Sequence, residues 1–403
     1  MSQVLMNTAP TAAGAVRRAP GACAPLTALV LFAVFAIAFF VAFPVAAKVN
    51  IPAPSVAAKS YVLMDHATGR MLAEHNADER VEPASITKAM TVYAAGHALA
   101  SGLISMGDEV LVSEKAWKMG GSRMFIEVNT RVTVEQLLDG IIIQSGNDAS
   151  VALAEHISGS EEVFASVMNE HARNLGMEDS HFSNATGWPD PETYTTAHDL
   201  ALLASALIRE FPDLYSRFAV KEYTYNEIKQ ANRNRLLYRD ASVDGIKTGH
   251  TESAGYCLLT SAERDGMRLI AAVMGTASDT VRTEASHALL NYGYRFFETR
   301  KIYAAGDVVT TPRVWGGAVE TFPAGPGEAA HLIIPRGRYA DMKAVAKLDE
   351  PIRAPLAKGQ TVGTVEVSLE GESFGEIPLR ALEAVPEGSM FSRLIDSVMI
   401  LFE

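Results

Sequence analysis

Cysteine is almost missing from this 403-residue chain: Cys23 and Cys257 are the whole supply. Cys23 precedes an apolar leader, so removing that leader would leave one thiol and no internal disulfide. Cys257 lies in the strand-like run Tyr256-Cys257-Leu258-Leu259 and reads as a small buried hydrophobe rather than a nucleophile. There is no cysteine cluster and no His-Glu-x-x-His segment, and the 10 histidines are scattered. No metal site is therefore expected. A Walker-type loop is absent, and Gly325-Pro326-Gly327 in a Pro-rich stretch is no dinucleotide fingerprint, so no cofactor is expected. Positive charge is also short. Lys and Arg number 35 against 47 acidic residues, a net charge of -12. That balance excludes nucleic acid as a partner, because phosphate binding needs a basic stripe. It equally excludes simple electrostatic attraction to an anionic membrane. Internal repeats and low-complexity tracts are missing too. What remains is globular in composition, 48% hydrophobic and 20% charged, and long enough for about two domains.

One long uncharged run does occur, Leu26 to Phe43. Arg17 and Arg18 flank it on one side and Pro44-Val45-Ala46-Ala47 on the other. A positive flank, an apolar stretch and small residues before Lys48 make residues 1–47 a signal peptide, with cleavage expected after Ala47. The run is barely long enough to span a bilayer, which leaves an uncleaved anchor as the alternative. Either way the rest of the chain is exported.

Ser60–Met64 reads as a strand, Asp65–Gly69 as a turn and Arg70–His75 as a return strand. Pro83 introduces a helical stretch from Ser85 to about Leu99. Val134–Ile143 and Asp148–Ile157 read as two helices joined by a turn. Residues 177–199, rich in Asn, Gly, Pro and Asp, read as a long surface loop before a helix over Leu200–Ile208. Strands follow at Gly245–Thr251, Tyr256–Ala262 and Leu269–Met274, the last two joined through Arg264-Asp265-Gly266. A long amphipathic helix covers Thr280–Phe297. Residues 55–300 thus form one large domain of antiparallel strands and helices. Short alternating runs such as Thr364–Leu369 then build a small β-sandwich-like domain over 303–385. From Gly388 to Glu403, Phe391, Leu394, Ile395, Val398 and Phe402 share one helical face and Ser389, Ser392, Arg393 and Asp396 the other. Met390, Met399, Ile400 and Leu401 add to its apolar character. This 388–403 segment is too short to span a bilayer but suits an in-plane membrane anchor.

Three triplets carry the chemistry: Ser85-Ile86-Thr87-Lys88, Ser145-Gly146-Asn147 and Lys247-Thr248-Gly249. Each alone is weak; in this order and setting they are specific, and they form the set known from class A β-lactamases and penicillin-binding proteins. A serine hydroxyl needs a base to become a nucleophile. Ser85 and Lys88, at i and i+3 on a helix, can meet. Lys88 works as that base only if burial or positive charge lowers its pKa, and Lys247 can supply the charge. The helix start at Ser85 offers backbone donors to a developing oxyanion. Asn147 can hold a substrate amide, and Ser145 can relay a proton to a leaving group. Lys247, on a strand, can attract a terminal carboxylate, while Gly249 lets a peptide approach the strand edge.

The likeness extends beyond the triplets. Pro83–Lys88, Val243–Thr251 with Ala254-Gly255-Tyr256, and Asn184-Ala185-Thr186-Gly187-Trp188 with Tyr194–Leu200 resemble the low-molecular-mass penicillin-binding proteins that act as D-alanyl-D-alanine carboxypeptidases. The resemblance covers roughly residues 55–390. Trp188 departs from it, standing where a Leu is expected. It implies a mixed α/β, β-lactamase-like catalytic domain and removal of the terminal D-alanine from peptidoglycan peptide stems. Ser85 would form the acyl-enzyme, Lys88 would be its base, and Ser145 would assist proton transfer. Lys247 would bind the substrate carboxylate, with Thr248, Gly249 and Asn147 also contacting substrate. The backbone N–H groups of Ser85 and His250 would form the oxyanion hole. β-Lactams would be inhibitors, and the location would be the periplasmic face of the inner membrane. A β-lactamase on the same scaffold is the nearest rival. It is disfavoured because Gly146 stands where class A enzymes carry Asp and no Glu-x-x-Leu-Asn segment follows. A non-catalytic cell-wall morphogenetic protein is the second rival, opposed by intact Ser85, Lys88 and Lys247. Endopeptidase action remains open as a minor activity.

Overall fold

The computed structural model describes residues 52–400; the expected leader over 1–47, and Leu401 and Phe402 of the terminal helix, lie outside the described residues. The chain divides into two compact units. One comprises Pro52–Tyr303 and Ala329–Ala340, and the other includes Ala304–Glu328 and the chain from Asp341 onward.

The first unit is organised by a five-stranded antiparallel sheet. Its strands are β1 (Ser60–Asp65), β2 (Met71–His75), β3 (Val243–Thr251), β4 (Gly255–Arg264) and β5 (Met267–Thr276), in the order β2-β1-β5-β4-β3. The β4–β5 hairpin turns at Asp265 and Gly266, both with positive φ (51° and 78°), as a two-residue primed turn requires. Register pairs Val62 with Ala272 and Lys247 with Leu259. Successive side chains of a strand point to opposite faces, and here both faces are covered. Val62, Met64, Ile270 and Ala272 join the large helical core. Leu63 and Leu269 instead meet Gly293 on the long helix over Asp279–Phe296. This is why β5 reads as a continuous apolar run, Leu269-Ile270-Ala271-Ala272-Val273-Met274, rather than an alternation.

Among the described residues of this unit six α-helices exceed four residues: α1 (Thr87–Ala100), α2 (Val134–Asp139), α3 (Asn147–Ser158), α4 (Glu161–Asn174), α5 (Ala197–Glu210) and α6 (Asp279–Phe296). α1 is buried on nearly every side, with Thr87, Lys88 and Thr91 buried beside its apolar residues. A 3-10 turn over Ala84–Ile86 precedes it and carries Ser85. α2 ends earlier than the apolar pattern suggests, widening over Gly140–Gln144 into a π-type turn that delivers Ser145 in the left-handed conformation (φ 63°). Such turns recur at functional sites. The unit closes with β6 (Phe297–Tyr303), paired antiparallel to a later strand over Ala330–Pro335.

The expected surface loop over 177–199 is loop-like but not superficial. Phe182, Ala185, Thr186, Thr195 and Thr196 are all buried. A single acceptor, Asn184 Oδ1, takes the N–H groups of Thr186, Gly187 and Trp188. Polar composition here reflects side chains that satisfy buried backbone. Gly187 adopts φ +73° with its Cα so close to the Ala84 carbonyl that an added Cβ would lie 1.8 Å from that oxygen.

The second unit holds a four-stranded antiparallel sheet. In chain order its strands are β7 (Ala324–Gly325), β9 (Met342–Leu348), β10 (Thr361–Leu369) and β11 (Glu372–Ala381), in sheet order β7-β11-β10-β9; β8 is the Ala330–Pro335 strand of the first unit. Val365, Val367 and Leu369 of β10 are buried, as are Ile377, Leu379 and Ala381 of β11, with period two. The terminal helix α7 (Met390–Met399) turns its polar side to this unit. Asp396 accepts the Gly316 N–H at 2.8 Å and pairs with Arg313 at 3.5 Å, and Arg393 pairs with Glu387. The opposite side is bare: Met390, Phe391, Leu394, Ile395, Val398 and Met399 are 45–82% exposed. Among the described residues no helix is long and apolar enough to cross a membrane.

Candidate active site

All three triplets converge on one cleft of about 360 Å³. Ser85 projects into it from the 3-10 turn, Ser145 from the π-type turn, and Thr248, Gly249 and His250 from the edge strand β3. Ser85 is half-buried, while Lys88, one turn on, is buried completely.

The amine of Lys88 lies 3.1 Å from Ser85 Oγ, 2.7 Å from Asn147 Oδ1 and 2.6 Å from the Thr186 carbonyl. A neutral amine has two N–H donors and one lone pair. The two shorter contacts consume both donors, so the lone pair is left facing the serine hydroxyl. Burial supplies the neutral state: it drives the Lys88 pKa down to about 7, with help from the positive charge of Arg233 and against the carboxylates Asp148 and Glu161. The cation that helps lower Lys88 is thus Arg233, where the sequence pointed to Lys247.

Lys247 is likewise buried, donating to Ser145 Oγ at 2.9 Å and to the Thr248 carbonyl at 3.2 Å. Burial pushes its pKa well down, and Lys88, Arg233 and Arg282 push it further. Two serines, each bonded to a buried lysine, therefore face one cleft. Asn147 spends both ends of its amide inside the protein, accepting from Lys88 and donating to the Gly120 carbonyl at 2.8 Å. Gly249 serves a closer neighbour than a substrate backbone. A Cβ there would lie 2.8 Å from the Pro83 carbonyl and 3.3 Å from Ala84 Cβ, so its bareness lets β3 press against the turn that carries Ser85. The His250 ring is exposed and tilts over Tyr256, with centroids 4.0 Å apart; it takes no part in the lysine–serine network.

The triplets omit several parts of the wall. Gly121, Ser122, Arg233 and Arg282 also line the cleft. Arg282 is committed to Asp279 and to the Gly249 and Cys257 carbonyls. Arg233 has no ion-pair partner among the described residues. The Gly121–Ile126 segment is held by Asp148, whose buried carboxylate accepts from Met124 N, Phe125 N and Ile126 N at 2.9–3.3 Å. Gly146 is hemmed in, since a Cβ would sit 2.9 Å from Asp148 Oδ1. Among the described residues no carboxylate lines the cleft.

A family model described as D-alanyl-D-alanine carboxypeptidase, peptidase S11, matches residues 47–278, and one for the C-terminal domain of penicillin-binding protein 5 matches residues 297–387. This chain belongs to the D-alanyl-D-alanine carboxypeptidase family. It is 44% identical over 365 residues to the D-alanyl-D-alanine carboxypeptidase DacC of Escherichia coli, covering 89% of this chain and 91% of that protein. Penicillin-binding protein 5 of Haemophilus influenzae superposes with a TM-score of 0.82 at 40% identity, covering 84% of this chain and 100% of the other. Penicillin-binding protein D2 of Listeria monocytogenes, solved in an ampicillin-bound form, superposes over 60% of this chain and 100% of its own, with a TM-score of 0.56 and 27% identity. Family membership and the mixed α/β architecture with a C-terminal β domain agree with the resemblance read from the sequence. Arg233 and Arg282 went unread because neither sits in a motif: one lies in a turn, and the other in a helix whose apolar pattern gave no reason to single it out.

Proposed function

We propose that this protein is a serine-type D-alanyl-D-alanine carboxypeptidase that trims peptidoglycan stem pentapeptides through an acyl-enzyme on Ser85 and is acylated by penicillins. The observation that carries the mechanism is the buried Lys88, its amine 3.1 Å from Ser85 Oγ and its pKa driven down to about 7. Ser85 Oγ attacks the carbonyl of the penultimate D-alanine as Lys88 takes the hydroxyl proton. The oxyanion is received by the backbone N–H groups of Ser85 and His250. Ser145 hands its proton to the departing amine and regains one from the neighbouring lysines. Free D-alanine leaves with the proton from Ser145, which is made good by the one Lys88 had taken from Ser85, so Lys88 is neutral again. Lys88 then takes a proton from the water that attacks the ester and returns it to Ser85 Oγ as the acyl–oxygen bond breaks. Thr248, Lys247 and the unpaired Arg233 receive the substrate's terminal carboxylate. Asn147 acts chiefly by orienting Lys88.

Three further assignments belong to this reading. Residues 55–300 form the catalytic domain and 303–385 a separate β-rich domain. Residues 1–47 direct export and are cleaved. The 388–403 segment, through its helix α7, rests on the outer face of the inner membrane by the apolar side of α7, since the polar side is already engaged with Gly316, Arg313 and Glu387. A β-lactamase reading finds no support among the described residues, which place no carboxylate in the cleft wall to activate the deacylating water. The test is covalent labelling with fluorescent penicillin. Ser85→Ala should abolish labelling while the fold survives, and the parent acyl-enzyme should be long-lived. Labelling of the variant at the parent rate would remove Ser85 as nucleophile, and rapid turnover of penicillin would turn the assignment to β-lactamase.

A further inference from the structure

Arg233 stands where its charge is least favoured. It lines the cleft with Ser85 and Thr248, and the charges it couples to there, Lys88, Lys247 and Arg282, are all positive. Like charges repel, so a long side chain free to move would turn away into water. The backbone around it is held on both sides. Asn232 and Asn234 are buried, with Arg233 exposed between them. Asn232 donates from Nδ2 to the Val220 carbonyl at 3.0 Å and from its backbone N–H to the Lys221 carbonyl at 2.7 Å. Its Oδ1 accepts the Asn234 N–H at 3.0 Å, closing a short ring around Arg233. Asn234 Oδ1 accepts the Leu236 N–H at 3.1 Å. Asn234 Nδ2 donates to the Gly245 carbonyl at 3.0 Å, on β3 two residues before Lys247. Arg235 pairs with Asp279 at 2.5 Å, and Asp279 also holds Arg282. Among the described residues, Arg233 is thus the one side chain from Asn232 to Arg235 without a partner.

We propose that Asn234 is a positioning residue for the reaction. It joins the turn that carries Arg233 to the edge strand that carries Lys247 and Thr248. It thereby fixes the guanidinium relative to those two side chains, and sets how well the enzyme tells a free terminal carboxylate from a blocked one. An asparagine suits this place because one amide satisfies a buried carbonyl and a buried N–H together. Donors already fixed in place bind an anion without a further ordering cost. The inference rests on the reading of Arg233 as a receiver of the substrate carboxylate.

The test measures kcat/KM for two acetylated tripeptides ending in D-Ala-D-Ala, one with a free C-terminus and one amidated, by release of the last residue. The ratio of the two, taken on one preparation, does not depend on how much of it is folded. Arg233→Gln should cut the preference for the free acid by about tenfold, the loss of one charge-assisted contact. Asn234→Ala should cut it by about fivefold, through KM for the free acid, because the same contact is displaced and not deleted. In the Arg233→Gln background Asn234→Ala should change the ratio by less than about twofold, since both act through one guanidinium. Equal cuts in both backgrounds would mean that Asn234 only supports β3, and would overturn the proposal. Thr260→Val removes the other donor to the Gly245 carbonyl, at 2.7 Å, and should spare the ratio; a loss matching that of Asn234→Ala would also overturn it. Where Asn234→Ala does not fold, Asn234→Ser takes its place, keeping an acceptor for the Leu236 N–H but too short to reach the Gly245 carbonyl. If Arg233→Gln leaves the preference intact, the carboxylate reading of Arg233 falls and this inference with it. If Arg233→Gln lowers the preference and the Asn234 variant does not, this inference falls alone.

Discussion

If Lys88 is the base, acylation must follow its protonation. Only the neutral amine can accept the Ser85 proton, and its pKa is about 7. The rate of acylation by penicillin should therefore rise with pH and level off above neutrality. One unit below that value about a tenth of the molecules carry the neutral amine, and two units below about a hundredth, so the rate should fall about tenfold for each pH unit. Arg233 supplies part of the depression. Arg233→Gln removes a positive charge, which relaxes the Lys88 pKa upward and should move the midpoint of the profile to higher pH. The assay is stopped-flow acylation by a fluorescent penicillin at saturating concentration, so that weaker binding does not distort the profile. The same depression is a stability statement. Between about pH 7 and the ordinary lysine range the unfolded chain holds a proton that the folded one lacks, so this group's contribution to stability rises with pH across that window. A flat acylation rate from pH 5 to 8 would refute Lys88 as the base, and an Arg233→Gln midpoint that stays put or moves to lower pH would remove Arg233 as a source of the depression.

Lys247→Ala should slow acylation by roughly tenfold or more, the loss expected for a charge-assisted hydrogen bond of about 1.5–3 kcal/mol. A substrate with an amidated C-terminus should be poor for the parent enzyme, and equal rates with free and amidated ends would count against carboxylate recognition. Asp148→Ala orphans the buried N–H groups of Met124 and Ile126 and should cost about 3 kcal/mol, read as a lower Tm together with slower acylation; an unaltered Tm would contradict the clamp. A chain ending at Val385, with a cleavable signal in place of residues 1–47, should stay active but move to the soluble fraction. The matching full-length chain should hold to membranes in high salt, because screening weakens only the charge contribution. Sedimentation of the truncated chain, or release of the longer one by salt alone, would defeat the anchor.

Much of the catalytic unit was legible because its signals are local. Alternating or continuous apolar runs, the Asp265-Gly266 turn and the Ser85–Lys88 spacing each act over a few residues, and so do the caps that start helices. α4 could have been read the same way: Ser160 caps it, and Phe164, Ala165, Met168 and Ala172 line its buried face. The triplets named Ser85, Lys88, Ser145, Asn147 and Lys247 by resemblance, and their residue types already suggested nucleophile, base and anion partner. The terminal helix was legible as amphipathic. That its polar face is the docked one depends on Gly316 and Arg313, some 80 residues earlier in the chain.

The sequence by itself determined which side chains could do the chemistry and which periodicities would fold. Only the tertiary structure decided their states. A lysine becomes a base through desolvation and through neighbours far away in the chain: Thr186, Asn147 and Arg233 reach Lys88 from three separate segments. Burial of the 177–199 loop, the bareness of Gly249 against Pro83 and the poise of Trp188 over Gly120 and Gly121 are likewise contacts between distant segments. Such contacts leave no periodic trace in the chain, because solvent exclusion and electrostatic coupling depend on distance in space and not on spacing in sequence.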